Sequence, residues 1–401
     1  MKQCTQIKKC KRLQQIKEYQ NKMQMITIHN PNKLVFGTGC FNQFAEDFKN
    51  LGKKRLYILT VPFLKEQICQ KLESLAEYGI TFLINDELNS EPGFNHFYRF
   101  MNEALVFKPD GVIGIGGGSV LDAAKLLAAL YDNEQKLEDV VGIGLLKKRS
   151  LYLACLPTTS GTGSEVSPNA ILHDERDGMK KGIISSCLVP DAAYVDPLLT
   201  MGMPAEITAS TGIDALTHGL EAYTNKFAHP MVDLYALEGI RLVSSSLVKA
   251  CANDLLARED VALGSLYGGM CLGPVNTTAV HALSYPLGSE FRIAHGLANA
   301  LLLPHVMEYN LVAGPGRFAQ VALALGAEEK TSAKETALEG VAIVRRLMKQ
   351  CGLPSRLSEI GIPEQAIPEM AASAVKIQRL MKNNIREISV GDAVGIYQKA
   401  Y

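Results

Sequence analysis

Asp214 and His218 stand four residues apart in a stretch with helical spacing. On a helix such residues share a face, with β-carbons about 5–6 Å apart. One turn can therefore offer a carboxylate and an imidazole to a single ion. Two more imidazoles follow at His281 and His295. Pro286 and Gly288 lie between them and predict a helix break that folds the chain back and lets both histidines converge. One carboxylate and three imidazoles suit a divalent ion such as Fe2+ or Zn2+, with an open position for a substrate oxygen. Taken singly, each histidine reads better as an ordinary hydrogen-bonded residue; the inference rests on the set of four. His29, His96, His173, His229 and His305 keep that ordinary reading.

A second kind of chemistry lies upstream. Residues 110–125 read as a buried strand, a turn of three glycines (Gly116, Gly117, Gly118) and a helix start. Glycines let a backbone approach a ligand closely and take positive φ. Ser119 is expected to cap the helix, with Asp122 completing a capping box, and the open N–H groups suit a phosphate. The spacing departs from the GxGxxG dinucleotide fingerprint, and the turn does not follow the first strand. Residues 156–167 add a second turn after a strand, dense in hydroxyls and glycine, fit to line a polar nucleotide.

The elements that must position these groups alternate along the first half. Lys33–Phe36, Arg55–Thr60, Ile80–Asn85, Gly111–Ile115 and Tyr152–Leu156 read as strands; Leu64–Tyr78, Asn95–Val106 and Leu121–Tyr131 read as helices. Such alternation implies a parallel sheet covered by helices. Beyond Pro204 the pattern is helical, over Ala205–Thr224, Met231–Ala252, Glu259–Cys271, Lys334–Cys351 and Glu364–Met381. The change falls near Pro190–Pro204.

Composition removes several classes. The 401 residues carry 41 basic and 41 acidic side chains, so no net field favours nucleic acid or another polyanion. The apolar runs are too short for a membrane span. Nine cysteines, an odd number with no CxxC pair, argue against a disulfide framework or zinc knuckle. They fit a reducing, cytoplasmic compartment. Residues 1–24 form a basic extension without the apolar core of a secretory signal.

The stretches GGGSVLDAAK (116–125), PTTSGTGSEVS (157–167), GIDALTHGLEAY (212–223) and VHALSYPLGSEFRIAHGLANALLLPHV (280–306) occur in that order. Together they resemble the iron-containing (group III) alcohol dehydrogenase family, over Ile26 to Tyr401. The resemblance implies an α/β dinucleotide-binding domain (25–197) and an all-α metal-binding and catalytic domain (198–401), the dehydroquinate synthase-like fold. It implies Asp214, His218, His281 and His295 as ligands of Fe2+, with Zn2+ the alternative. Cofactor contacts fall on Gly117, Gly118, Ser119, Asp122, Thr158, Thr159, Thr162 and Lys180, to NAD or NADP. The implied reaction is reversible hydride transfer to or from a small alcohol or aldehyde, in a homodimer. Two positions depart from the pattern. Val61 stands where many members carry an aspartate for the adenosine ribose, which removes repulsion of a 2′-phosphate and predicts NADPH use. Tyr285 stands where many carry a histidine; its phenol could hold substrate or join a proton relay, but it is a poor base at neutral pH. Competing readings are a non-catalytic nucleotide binder and a phosphate-releasing lyase of the dehydroquinate synthase type. The lyase would need basic groups, of which the sequence around the ligands offers little beyond Arg292.

Overall fold

The computed structural model of the chain describes residues 25–88 and 92–401; the basic extension at 1–24 lies outside them. The first half contains β1 (Lys33–Phe36), α1 (Phe41–Asn50), β2 (Arg55–Leu59), α2 (Lys65–Leu72), β3 (Thr81–Asn85), α3 (Phe94–Phe107), β4 (Gly111–Gly116) and α4 (Gly118–Leu130). Then come β5 (Gly142–Ile143), β6 (Tyr152–Pro157), β7 (Asn169–Asp174), β8 (Met179–Ile184) and β9 (Ala192–Val195). Six strands form a parallel sheet in the order β1-β9-β6-β4-β2-β3. Its central strand β4 is buried along its whole length, as expected where helices cover both faces. The sequence shows α1 in the spacing of Phe41, Phe44 and Phe48, which pack on Leu56, Ile58 and Ile113.

Three features differ from the sequence expectations here. The helical stretch predicted to Tyr78 ends at Leu72 and continues as a 3-10 turn, Glu73–Tyr78. β7 and β8 form an antiparallel hairpin that pairs with β5 in a second small sheet. The hairpin was readable from the turn Asp177-Gly178, where Gly178 has φ +69°. β9 also joins the main sheet without a periodicity to announce it.

The second half comprises α5 (Ala205–Tyr223), α6 (Pro230–Cys251), α7 (Leu255–Leu272), α8 (Ala279–Phe291), α9 (His295–Asn310), α10 (Pro315–Ala324), α11 (Ala333–Gln350), α12 (Ile367–Val375), α13 (Gln378–Met381) and α14 (Val390–Ala400). One apolar core runs through these helices. α7 starts four residues earlier than predicted, because Asp254 caps it through the Ala257 amide. That brings Arg258 into the helix. It is 2% exposed and donates to the Thr200 and Met203 carbonyls, tying the connecting segment to α7. The helix expected over Glu364–Met381 is interrupted after Val375, where Ile377 takes ψ 61°.

The largest correction concerns α8, which runs straight through Pro286 and Gly288. A proline inside a helix forfeits one backbone bond, here to the Ala282 carbonyl, and the next carbonyl, of Leu283, accepts from the buried Tyr397 hydroxyl. The chain turns six residues later. Arg292 adopts the left-handed conformation (φ 58°), and the amides of Arg292 and Ile293 return to the Gly288 and Leu287 carbonyls.

Candidate metal centre and adjoining cleft

Asp214 and His218 project from α5, His281 from α8, and His295 from the first turn of α9. α9 approaches α5 closely because residue 296 is glycine: a β-carbon there would lie 2.4 Å from the Ser210 carbonyl oxygen. Asp214 Oδ1 lies 3.9 Å from His218 Nε2, 3.6 Å from His281 Nε2 and 3.7 Å from His295 Nε2. The donors of Asp214, His218 and His281 all fall within 4.8 Å of one another. Four ligands at about 2.0–2.2 Å from one ion, tetrahedrally placed, stand roughly 3.3–3.6 Å apart. Asp214, His218 and His281 therefore have the right spacing, and His295 Nε2 reaches Asp214 from α9.

Hydrogen bonding orients the rings. His218 Nδ1 bonds the Gly161 carbonyl at 3.1 Å, and His281 Nδ1 bonds Glu221 Oε2 at 2.6 Å. With Nδ1 donating in both, the two Nε2 atoms face each other 3.0 Å apart, a contact that needs either a shared proton or a cation between them and Asp214. Asn299, one turn after His295, donates Nδ2 to Asp214 Oδ1 at 2.7 Å, and its buried Oδ1 has no partner. Chemistry of the donors, their spacing and this uncompensated polarity all fit a divalent ion.

Electrostatics follow the geometry. Burial, opposed by the Asp214 carboxylate, holds His218 and His295 below the ordinary imidazole range. Burial also works against charge on His281, but Glu221 and Asp214 overcome it and push that ring up to about 10. Asp214 stays far below the usual carboxylate range despite burial, because the three imidazoles surround it.

Glu221 was missed in the sequence, although it follows Asp214 and His218 on α5 at i+7 and i+3, on the same face. Its carboxylate also accepts from the Thr278 amide and hydroxyl and the Val280 amide. It thus caps α8 and aims His281 with one group.

The four side chains open onto a cleft of about 910 Å³ shared with the first half of the chain. Gly118, Ser119, Asp122, Thr162, Lys180 and Tyr285 line it. Gly117, Thr158 and Thr159 do not: Gly117 is the backbone cap of α4 beneath Thr159, and the buried Thr158 returns its amide to Gly116. Gly116, Gly117 and Gly118 all avoid positive φ. They are required by packing, since β-carbons at Gly116 and Gly118 would lie 2.6 Å from Val120 and Thr162 side chains. Ser119 lies inside α4 and is not its cap, so the first N–H groups of α4 remain open toward the cleft. Asp122 makes no capping box. It accepts from Ser164 Oγ at 2.5 Å and the Ile171 amide at 2.9 Å, clamping the two turns together. Lys125, fully buried, completes the clamp with bonds to Ser164 Oγ and the Asn169 carbonyl. Gly163 has φ +58° and sits against Gly269 of α7, where a β-carbon would come within 2.3 Å of the Gly269 Cα. His173, assigned no special role from sequence, also lines the cleft.

Known proteins share this sequence pattern and fold. Residues 31–197 match the iron-containing alcohol dehydrogenase model, and 208–401 match the C-terminal model of the Fe-containing alcohol dehydrogenase family. The chain is 38% identical to long-chain-alcohol dehydrogenase 1 of Geobacillus thermodenitrificans, over 91% of this chain and 94% of that one. It is 33% identical to the sulfoacetaldehyde reductase of Bilophila wadsworthia, over 89% and 94%. A crystal structure of 1,3-propanediol oxidoreductase superposes with TM-score 0.90 at 33% identity, covering 94% of this chain and all of that one. With two family models spanning both halves and the same fold throughout, the chain belongs to the iron-containing alcohol dehydrogenase family.

Proposed function

We propose that the chain is a metal-dependent, NAD(P)-linked alcohol dehydrogenase that interconverts a small alcohol and its aldehyde. The convergence of Asp214 with His218, His281 and His295 at the floor of a shared cleft is the observation that carries this reading. These four would hold the ion, Fe2+ by family and Zn2+ by affinity order. When bound, the ion supplies Lewis acidity at the substrate oxygen, and the nicotinamide supplies or takes up the hydride.

The chain's own residues do the rest. The open N–H groups at Gly118 and Ser119, with the α4 dipole behind them, favour an anionic phosphate. Thr162 and Lys180 face the same space. Glu221 and Gly161 keep both Nε2 lone pairs aimed inward. Tyr285, one turn after His281, accepts from Arg379, which leaves its own O–H to hold a substrate oxygen. Gly117, Thr158 and Thr159 support the turn from behind.

The relatives act, by their names, on long-chain alcohols, sulfoacetaldehyde and 1,3-propanediol, so family membership leaves the substrate open. The reading includes a homodimer in a reducing, cytoplasmic setting. The seven described cysteines are all unpaired in disulfides, which suits that setting. Among the described residues no helix is long and apolar enough to cross a membrane. The test is an aldehyde panel with NADH and NADPH, after loading with Fe2+ or Zn2+, on wild type and His281→Ala. The variant should lose bound metal and turnover together; full metal content with full turnover would overturn the assignment.

A further inference from the structure

Part of the cleft lining comes from α8, α13 and β8, and it is cationic. Arg379 of α13, Arg292 at the end of α8 and Lys180 of β8 all face it. Of these three, only Arg292 lies in the sequence next to the histidines.

Arg379 is half-buried, and its side chain donates to a single neutral acceptor, the Tyr285 hydroxyl; the guanidinium lies 5.4 Å from that ring's centre. Among the described residues no carboxylate pairs with it. The break after Val375 starts the short α13 that carries it. A guanidinium with five donors and one neutral partner keeps a fork suited to a carboxylate. Tyr285 sits four residues past His281, about 6 Å along the helix axis, and its ring centre is 6.4 Å from that of His295. The cation is thus one side chain removed from the ligand set.

We propose that Arg379 and Tyr285 form a carboxylate subsite, and that the chain's substrates are short aldehydes and alcohols ending in a carboxylate. This rests on the dehydrogenase reading. The reacting oxygen lies at the four side chains and the carboxylate at Arg379, with Tyr285 between them. In reduction the aldehyde carbon gains a hydride from the reduced nicotinamide and the oxygen gains a proton. The products are an ω-hydroxy acid and oxidised nicotinamide.

The experiment compares 4-oxobutanoate with butanal on the metal-loaded enzyme, as the ratio of their kcat/KM values. Wild type should favour 4-oxobutanoate at least tenfold. Arg379→Met should collapse that ratio at least tenfold, and Arg379→Lys should restore part of it. NADH affinity is measured alongside by fluorescence. A wild-type preference for butanal, a ratio unchanged in Arg379→Met, or a loss that tracks NADH affinity would each overturn the subsite. Calorimetric binding of succinate reads the same subsite without turnover, and should weaken at least tenfold in Arg379→Met. If neither aldehyde reacts, the dehydrogenase reading fails, and succinate affinity still decides the subsite: equal affinity in both proteins refutes it.

Discussion

Replacing Glu221 by glutamine changes one atom, and the surroundings make the consequence calculable. Four donors converge on two carboxylate oxygens: the Thr278 hydroxyl and Val280 amide on Oε1, the Thr278 amide and His281 Nδ1 on Oε2. A carboxamide has only one acceptor oxygen. If its NH2 faces His281, the Thr278 amide loses its acceptor and the imidazole must accept at Nδ1. The proton then sits on Nε2, and the lone pair meant for the ion is gone. In the opposite orientation His281 keeps its tautomer, but the Val280 amide is orphaned and the negative charge that raises the ring's basicity is lost. Outer partners of this kind are worth about 10–100-fold in metal affinity, or roughly 1.4–2.8 kcal/mol. The tautomer swap belongs at the upper end. The assay is a Zn2+ competition titration against a chelator, with imidazole 15N shifts to report the tautomer and circular dichroism to confirm folding. A folded variant that binds within twofold of wild type would refute the reasoning.

Three further outcomes follow from other parts of the molecule. Burial pushes Glu165 up to about 7, so its contribution to stability is complete below the ordinary carboxylate range and is lost as pH rises through about 7. The melting temperature should carry that dependence between about pH 4.5 and 7, and Glu165→Gln should flatten it; an identical pH profile in the variant counts against it. Val61 follows β2 at the position where the family resemblance implies an aspartate for the adenosine ribose, so NADPH should support turnover and Val61→Asp should shift preference toward NADH. Strict NADH use by wild type in steady-state kinetics sinks that claim. Gly163→Ala combines a left-handed backbone with a 2.3 Å approach to Gly269. It should destabilise the protein by more than about 2 kcal/mol, and a calorimetric melting temperature within a degree of wild type would show the contact is slack.

Much of the centre could be read from spacing. Asp214 and His218 share a helical face at any register, because four residues are close to one turn. The alternating pattern from β2 to β6 required a parallel sheet, since apolar runs that short need helices on both sides. Where reading failed, a tertiary partner intervened. Pro286 did not break α8, because loss of one backbone bond is small beside the packing that holds the helix, and the turn moved to Arg292. Ser119 and Asp122 looked like a capping box, but Asp122 found better donors in Ser164 and Ile171. The glycines at 116–118 signalled special φ and were needed instead for close approach.

The amino-acid order alone therefore determined which groups exist and which neighbours within one turn share a face: a carboxylate and imidazole on α5, an open helix start after β4, a hydroxyl-rich turn after β6. Local propensity and periodicity act over a few residues, and these features are local. Only the folded chain decided that α8 and α9 deliver His281 and His295 to Asp214, that Glu221 turns His281 toward Asp214, and that Arg379 reaches Tyr285 from 94 positions away. Such contacts depend on how helices pack across a shared core, a property of shape and volume that no spacing rule along the chain encodes.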